Sequence, residues 1–339
     1  MPVRTVRGDI DGAAAGHIQP HEHVLSRIGH AARQQGSALT TDHPITLENV
    51  YEIRRHHSRL DGTVDDVTDA VDELTWYRDA GGTTIVDATS IGLGRDPDGL
   101  VEVSERTGVH VVMGSGWYHR DYHPSGLERR SRSELAEEIV GDLTTGVGPG
   151  AMKAGLIGEI GLGWPVDPVE DRVLRAAVDA HLATGAALMI HPGRAPRAPL
   201  DAMRRVQEET SSTAKVVMSH VDRTLFTLDE MLELADTGCY LEFDLFGQES
   251  SYYPYADIDM PSDATRVRYI RALCDRGLQD RVLLSQDICF RTHLRRYGGE
   301  GYDHLLRNVV PLMLRRGFDP DDVRRLTIDN PREMLEIAP

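Results

Sequence analysis

Six side chains that could bind metal ions are spread along the chain, and each is a histidine or an acidic residue. They are His21, His23, Glu159, His191, His220 and Asp287. Imidazole nitrogen and carboxylate oxygen are ligands of borderline divalent ions such as zinc, and both bind in their deprotonated form. A strand directs residues i and i+2 to the same side, so His21 and His23 can bind one ion together. The set indicates a binuclear metal hydrolase.

The His-x-His pair alone is weak evidence, because the chain contains 15 histidines. The positions of the other ligands strengthen it, since each follows a β-branched or aliphatic run that is typical of a buried strand. These runs are 156–158, 187–190, 215–219 and 282–286. A single histidine such as His191 could equally be a hydrogen-bonded core residue, whereas a whole set of ligands at strand ends favours a site.

Eight apolar segments are predicted to be strands, and most alternate with helical segments. The strands are 16–20, 83–88, 109–114, 155–160, 187–190, 215–219, 240–243 and 282–285, and the clearest helices are 65–80, 171–184, 228–237 and 263–276. Strands that are apolar on both faces and alternate with helices indicate a parallel sheet covered by helices. Eight such units predict an α/β fold of the closed (β/α)8 TIM barrel type.

A barrel of this kind would bring the scattered ligands together, because its functional residues gather at the carboxyl ends of the strands. His21 and His23 are expected at the end of the first strand, and the other ligands at the ends of the fourth, fifth, sixth and eighth. We expect residues 1–339 to form one metal-dependent hydrolase domain. A polar insertion at about 25–64 is expected over the barrel mouth, and 331–339 is predicted to be a capping helix.

The composition limits the partners and the compartment. There are 37 Lys plus Arg against 54 Asp plus Glu, a net charge of −17, which argues against nucleic acid or an anionic membrane as partner. Three scattered cysteines cannot build a disulfide framework, and their odd number fits a reducing compartment. No signal pattern or membrane-length apolar stretch is visible, so the sequence predicts a cytoplasmic protein. A homodimer is the base-rate expectation.

Several longer motifs surround the ligands. They are His21-Glu22-His23, Gly-Leu-Ile-Gly-Glu-Ile-Gly at 155–161 with Trp-Pro at 164–165, His-Pro-Gly-Arg at 191–194, Ser-His-Val-Asp-Arg-Thr at 219–224, Asp-Ile-Cys at 287–289, and Tyr-Gly-Gly-Glu-Gly-Tyr at 297–302 with Asn-Val-Val-Pro at 308–311. Together they resemble the motifs of the phosphotriesterase family of the amidohydrolase superfamily, and within it the phosphotriesterase-related branch. The resemblance covers nearly the whole chain.

The resemblance implies two divalent ions, the first bound by His21, His23 and Asp287 and the second by His191 and His220. In phosphotriesterases proper a carboxylated lysine bridges the ions. Here glycine follows the Gly-Leu-Ile run, so that lysine is absent, and the implied bridge is the glutamate at position 159, as in the related branch. This departure argues against phosphotriesterase activity. The ions are expected to be zinc, with manganese, iron or cobalt as alternatives.

Asp287 is the expected catalytic residue. Two ions that share a water lower its pKa and supply a bridging hydroxide, while one ion polarises the oxygen of the substrate's carbonyl or phosphoryl group. Asp287 would touch this water and could pass its proton to the departing amine or alkoxide. Its alternative role is that of a metal ligand only.

The substrate implied by the resemblance is a small anionic N-acyl amine, of the N-acetyltaurine or N-acetyl amino acid type. Arg194, Arg223 and Arg291 follow strand ends, and with Tyr118 they are candidate substrate-binding residues. A guanidinium suits a carboxylate, sulfonate or phosphate group. Each arginine could instead form a structural salt bridge to a neighbouring acid such as Asp222.

Three alternative functions stay open. A lactonase would use the same site on a cyclic ester, and a phosphoester or phosphotriester hydrolase would use it on a phosphoryl group; analogy of fold does not separate them. A non-catalytic small-molecule binding protein would keep the pocket and lose turnover. The segment Tyr-Tyr-Pro-Tyr at 252–255 could cover the mouth as an aromatic lid or pack as a surface loop.

Overall fold

A parallel sheet of eight strands forms the centre of this computed structural model, which describes residues 1–29, 44–251 and 253–337. In chain order the strands within these ranges are β1 (Pro2–Thr5), β2 (Gly8–Asp11), β3 (His17–Glu22), β4 (Ser26–Arg27), β5 (Thr63–Val64), β6 (Gly82–Asp87), β7 (His110–Ser115), β8 (Leu156–Gly161), β9 (Leu188–His191), β10 (Val216–Met218), β11 (Tyr240–Phe243) and β12 (Val282–Leu284). The sheet runs in the order β3, β6, β7, β8, β9, β10, β11, β12. Backbone hydrogen bonds join residues 21–23 to residues 287–288, so its two edges meet and close the barrel.

Helices follow most barrel strands and cover the outside of the sheet. They are α1 (Val50–His56), α2 (Val67–Asp79), α3 (Pro97–Thr107), α4 (Arg132–Thr144), α5 (Pro168–Thr184), α6 (Ala198–Glu209), α7 (Leu228–Ala235), α8 (Asp263–Cys274), α9 (Val310–Arg315), α10 (Pro320–Arg324) and α11 (Asn330–Leu335). The ends of α5 show why such segments start and stop. Asp167 caps its first turn together with Glu170, and Gly185, at φ +69°, ends it in the left-handed conformation.

The amino end of the barrel is closed by apolar packing. β1 and β2 form an antiparallel hairpin, and Val3 in β1 makes a β-bridge to Glu336 just beyond α11. Val3, Ile18, Met334 and Leu335 are buried in one cluster beneath the barrel strands. Because this end is plugged by side chains, the carboxyl ends of the strands are the end at which a ligand can enter.

The predicted TIM barrel is confirmed. All eight predicted barrel strands are present, with bounds that differ from the prediction by two residues or fewer. The predicted capping helix corresponds to α11, and residues 338–339 lie outside the described part. The hairpin of β1 and β2 was not predicted. Within the described ranges, no helix combines the length and apolar character that crossing a membrane requires.

Only part of the predicted insertion at 25–64 can be compared with the structure, because residues 30–43 lie outside the described ranges. The remainder forms β4, α1 and β5, and β4 pairs antiparallel with β5. Side chains of α1 line the cavity described below. That this segment is an insertion within a single domain stays a prediction.

Candidate metal centre

The predicted ligands all come to the carboxyl end of the barrel. They lie in or just after β3 (His21 and His23), β8 (Glu159), β9 (His191), β10 (His220) and β12 (Asp287). Since neighbouring strands are parallel, these strand ends share one rim and their side chains converge. The histidines and Glu159 are almost completely buried, whereas the side chain of Asp287 is 15% exposed.

Glu159 lies at the centre of the cluster. Its Oε1 is 3.2 Å from His23 Nε2, and its Oε2 is 2.9 Å from His191 Nδ1. The same Oε2 is 3.6 Å from the Nε2 atoms of His21 and His220. One carboxylate therefore reaches all four histidines, which come from both of the expected ion sites.

Asp287 borders the cluster on the cavity side. Its Oδ1 lies 3.3 Å from His23 Nε2 and 3.9 Å from His21 Nε2. The backbone of Asp287 is left-handed, with φ +48°, and so is that of His220, with φ +55°. Such conformations cost non-glycine residues about 1–3 kcal/mol and persist only where the surroundings fix them. Two positions of the cluster are thus held against local backbone preference.

Buried carboxylates hold the outer nitrogens of two histidines. His21 Nδ1 lies 3.0 Å from Glu242 Oε2 and 2.9 Å from Asp244 Oδ2. His220 Nδ1 lies 2.9 Å from Asp244 Oδ1. A hydrogen bond from one ring nitrogen fixes the tautomer and leaves the other nitrogen for an ion. Because Asp244 contacts the outer nitrogens, it supports the ligands rather than joining them.

The Nε2 atom of His21 tests whether these residues fit a metal ion. It is buried and has no hydrogen-bond partner among the described residues. An unsatisfied buried polar atom costs roughly 1–3 kcal/mol. The nearest acidic oxygens, on Glu159 and Asp287, are 3.6 and 3.9 Å away, and an ion among them would accept the nitrogen lone pair. The donor set of imidazoles and carboxylates therefore fits a divalent cation.

The charges of the cluster also favour a bound cation. Burial opposes protonation of His23, yet the neighbouring Asp287 and Glu159 raise its pKa to about 10. Burial would raise the pKa of Glu159, but the neighbouring histidines, His191 foremost, lower it well below its usual range. The buried carboxylates therefore require positive charge, and a metal ion that binds here must displace protons.

A cavity of about 730 Å³ opens over the cluster. This is the size of a small-molecule site. His191, His220 and Asp287 line its inner part. Aromatic and cationic side chains form much of the remaining wall; they include His57, Tyr118, Arg194, Arg223, Tyr255 and Phe290. A substrate held in this cavity would contact both the cluster and a positively charged wall.

Arg194 follows β9 and is held in this wall by two tyrosines. Its Nε donates to the Tyr253 hydroxyl at 3.2 Å, and its guanidinium carbon lies 5.0 Å from the centre of the Tyr255 ring. No carboxylate of the described residues forms an ion pair with it, and its terminal nitrogens have no hydrogen-bond partner there. The charge of Arg194 is therefore available to a ligand. The part of 252–255 that the structure describes thus lies at the cavity, while Tyr252 lies outside the described ranges.

Arg223 lies deeper, with 1% of its surface exposed. Its Nη2 donates to the carbonyl oxygen of Pro192 at 3.2 Å and lies 3.0 Å from His191 Nε2. The alternative salt bridge to Asp222 does not form, because Asp222 Oδ2 pairs with Arg266 Nε at 2.6 Å. Arg223 therefore places a positive charge directly behind a predicted ligand.

Tyr118 reaches the cluster, whereas Arg291 does not. The Tyr118 hydroxyl lies 3.1 Å from His191 Nδ1. Arg291 Nε donates to the carbonyl oxygen of Thr63, and its Nη2 lies 3.6 Å from Asp65 Oδ1. Arg291 does not line the cavity, because its side chain is directed to β5. These contacts favour the structural salt bridge for Arg291, and its role in binding the substrate stays a prediction.

Sequence analysis missed the residues that support the ligands. Glu242 lies in β11 and Asp244 directly follows it, and their i, i+2 spacing, typical of one strand face, was the available signal. Thr89 follows β6, and its Oγ1 lies 2.9 Å from His23 Nδ1. Glu22 lies between the two ligands of β3, and only the structure reveals its partners.

Comparisons with known proteins agree with this fold. The chain matches the phosphotriesterase family model over residues 1–335. It is 37% identical to N-acetyltaurine hydrolase of Homo sapiens over 341 residues, which are 98% of this chain and 97% of that protein. A resiniferatoxin-binding protein from Rhodobacter sphaeroides superimposes with a TM-score of 0.92 at 32% identity, covering 99% of this chain and 95% of that one. The phosphotriesterase homology protein from Escherichia coli, complexed with phosphate in its active site, gives a TM-score of 0.80 at 28% identity, covering 96% and 100%.

These matches extend over nearly the whole barrel and are not confined to a shared motif. The cluster at the barrel mouth has the imidazole and carboxylate donors that divalent-metal hydrolysis uses. The protein is therefore a metal-dependent hydrolase and belongs to the phosphotriesterase family.

Proposed function

We propose that this enzyme hydrolyses the amide bond of small N-acyl amines that carry an anionic group, such as N-acetyltaurine or N-acetyl amino acids. The observation that carries the proposal is Arg194, a guanidinium at the cavity wall without a carboxylate partner among the described residues. A relative of 37% identity is named for N-acetyltaurine hydrolysis. Both observations favour an acyl substrate with a negative charge.

The setting of Arg194 suits a sulfonate or carboxylate. Tyr253 binds its Nε and Tyr255 covers one face, so two terminal nitrogens remain for a ligand. A guanidinium binds such anions through two parallel hydrogen bonds. Arg223, behind His191, adds positive potential in the buried part of the same cavity. The anionic end of the substrate would therefore point away from the cluster, with its acyl group beside the ligands.

We further propose that the centre holds two divalent ions, most simply zinc. His21, His23 and Asp287 would hold one, and His191 and His220 the other, with the Glu159 carboxylate between them. When bound, such ions acidify a water molecule and polarise the acyl carbonyl.

The residues of the chain would complete the chemistry. Asp287 is next to the cluster and partly exposed to the cavity, so its carboxylate can take a proton and pass it to the leaving amine. The Tyr118 hydroxyl, beside His191, can donate a hydrogen bond to the substrate's carbonyl oxygen. Arg194 would orient the substrate for both contacts.

The first experiment offers the metal-loaded enzyme N-acetyltaurine, N-acetyl amino acids, a neutral N-acyl amine and simple lactones, with amine or acid formation measured by mass spectrometry. Asp287→Asn serves as the inactive control. We expect amide cleavage of the anionic substrates and little of the neutral one. Cleavage of lactones alone would make the enzyme a lactonase. If none of these compounds is cleaved, phosphoester hydrolysis and a non-catalytic binding role are the remaining candidates.

Arg194→Met tests the anion contact. KM for the anionic substrate should rise by roughly 10-fold or more, since a charge-assisted hydrogen bond contributes about 1.5–3 kcal/mol. KM for the neutral substrate should stay unchanged. Arg197→Met is the matched control, because Arg197 is exposed nearby and pairs with Glu233 on the surface. Equal effects on charged and neutral substrates would contradict the assignment.

The homodimer and the cytoplasmic location expected from the sequence stay predictions.

A further inference from the structure

The backbone around Asp287 is bound at every polar group. Two of its contacts come from β3: Asp287 N donates to the carbonyl oxygen of His21 at 3.2 Å, and Ile288 O accepts from His23 N at 3.1 Å. These bonds belong to the seam where the first and last barrel strands meet. They fix where residue 287 lies, and side chains make the remaining contacts.

The carboxylate of Glu22 makes two of those contacts. Its Oε1 accepts from Gln286 N and its Oε2 from Ile288 N, both at 2.8 Å. It therefore holds the peptide groups on either side of Asp287. Glu22 is completely buried, and Gln19 Nε2 and Ser285 Oγ donate to its Oε1 at 2.8 and 2.7 Å.

The carboxamide of Gln248 makes the other two contacts, from the opposite side. Its Nε2 donates to the carbonyl oxygens of Gln286 and Asp287, at 2.8 and 3.2 Å. Gln248 lines the cavity and stands in the loop after β11 that also carries Tyr253 and Tyr255. The loop that touches Arg194 is thereby bonded to the backbone of Asp287.

These contacts matter because Asp287 has a left-handed backbone. An aspartate released from these bonds would relax toward an ordinary conformation, and its carboxylate would swing out of line with His21 and His23. A displacement of about 1 Å at a catalytic group can lower a rate about 100-fold. Precise support of the backbone is therefore as important here as the side chain itself.

We propose that Glu22 and Gln248 are positioning residues that together hold the carboxylate of Asp287 at the metal centre. Glu22 acts from inside the barrel seam, and Gln248 links the same backbone to the loop that lines the substrate cavity. The proposal rests on the role of Asp287 in the proposed function.

The test measures metal affinity, by competition with a chelator, for wild-type protein, Glu22→Gln, Asp287→Asn and the double variant. In Glu22→Gln the amide NH2 faces a backbone N–H, so one of the two hydrogen bonds that Glu22 accepts from Gln286 N and Ile288 N is lost. Removal of a supporting partner of a ligand lowers metal affinity or activity by roughly 10- to 100-fold. If Glu22 acts through Asp287, its substitution should have little further effect once Asp287 is already asparagine. If the double variant instead loses metal affinity by the product of the two single-variant losses, the proposal is overturned.

Gln248→Met supplies a second variant that leaves the barrel seam intact. Its kcat on the best substrate should fall by about 10-fold while the bound metal content stays near that of wild type. Gln207→Met, on the exposed side of α6, is the matched control and should behave as wild type. If Glu22→Gln does not fold, an unchanged kcat in Gln248→Met would by itself refute the positioning role.

Glu73→Gln controls for the general cost of removing a buried carboxylate. Glu73 also accepts two backbone N–H groups, those of Arg295 and Arg296, but lies away from the cavity. It should lose stability without losing metal affinity. If wild-type enzyme cleaves no N-acyl substrate, the proposed function fails while the metal-affinity cycle still decides the role of Glu22.

Discussion

Two clusters of ionisable side chains in this molecule differ in where they lie. At the carboxyl end of the barrel, the side chains of His21, Glu159 and Asp244 are 0–3% exposed. On the outside, α4, α5 and α6 carry a network of ion pairs such as Arg132 with Asp179, whose side chains are 36% and 40% exposed. Both clusters are dense in charge, and the inner one is buried whereas the outer one is open to solvent.

The difference shows which charges are available for chemistry. In the outer network each arginine has an acidic partner, and water screens what remains, so a pair contributes about 0–1 kcal/mol. In the inner cluster, carboxylates and histidines are buried together, where the loss of either charge partner is costly because water does not screen what remains. A binding site is therefore marked by the burial of its ionisable groups beside a cavity, and not by the number of ion pairs.

The largest expected effect in the inner cluster is that of Asp287→Asn. It removes a charge beside the metal centre and the group that moves the proton, and general acid–base catalysis contributes about 10²- to 10⁴-fold. We expect kcat to fall within that range while substrate binding stays detectable by calorimetry. Turnover equal to wild type would end the catalytic assignment of Asp287.

Glu159→Ala should empty the centre. All four histidines lie within 3.6 Å of its carboxylate, so its loss removes the side chain that is expected to join the two ions. Elemental analysis after dialysis should find less than the wild-type metal content. Two ions still bound per chain would reject the bridge.

His304 offers an intermediate case, a buried cation that is fully paired. Its Nε2 lies 2.7 Å from Asp263 and its Nδ1 3.1 Å from Glu300. Burial opposes protonation, but these acids raise its pKa to about 9. A raised histidine pKa stabilises the fold fully below the unfolded value of about 6.5, and the gain is lost as pH rises through about 9.

The measurement is the Tm of wild type and His304→Gln from pH 6 to pH 10. The wild-type advantage should be largest at the acidic end and shrink toward pH 10. A difference in Tm that does not change with pH would mean that packing, not charge, accounts for the contribution of His304.

Arg204→Ala should have the smallest effect. Arg204 is 57% exposed and pairs with Asp201 at 2.8 Å and with Glu208 on the same helix. Removing an exposed pair should cost about 0.5 kcal/mol or less, and 1 M salt should abolish even that. If Arg204→Ala lowers the free energy of unfolding in urea by several kcal/mol, the exposed ion pairs would be as important for stability as the buried ones.

The barrel and the positions of its ligands followed from the sequence because both depend on local pattern. Apolar runs mark strands, and parallel strands share a rim, so the sequence alone predicts that the ends of β8, β9 and β10 meet. The pairing of particular ligands with particular ions came from family resemblance and stays a prediction.

Contacts across the barrel could not be predicted in this way. The hydrogen bonds that Glu22 accepts from Gln286 N and Ile288 N depend on the register at the seam, which no local pattern encodes. The direction of the Arg291 side chain likewise depends on the conformation of the loop after β12, which places its guanidinium beside Asp65. Spacing along the chain gives a residue its place on the rim, but its partners depend on the fold around it.

The seam between the first and last barrel strands also has a consequence for biosynthesis. The backbone N–H of His21 donates a hydrogen bond to the hydroxyl of Ser285, 264 residues further along the chain. A ribosome therefore delivers the first two ligands long before the last, and such distant contacts form late in folding. The nascent chain has no complete set of ligands until Asp287, just after β12, has emerged, so we expect acquisition of the metal to follow synthesis of this last barrel strand.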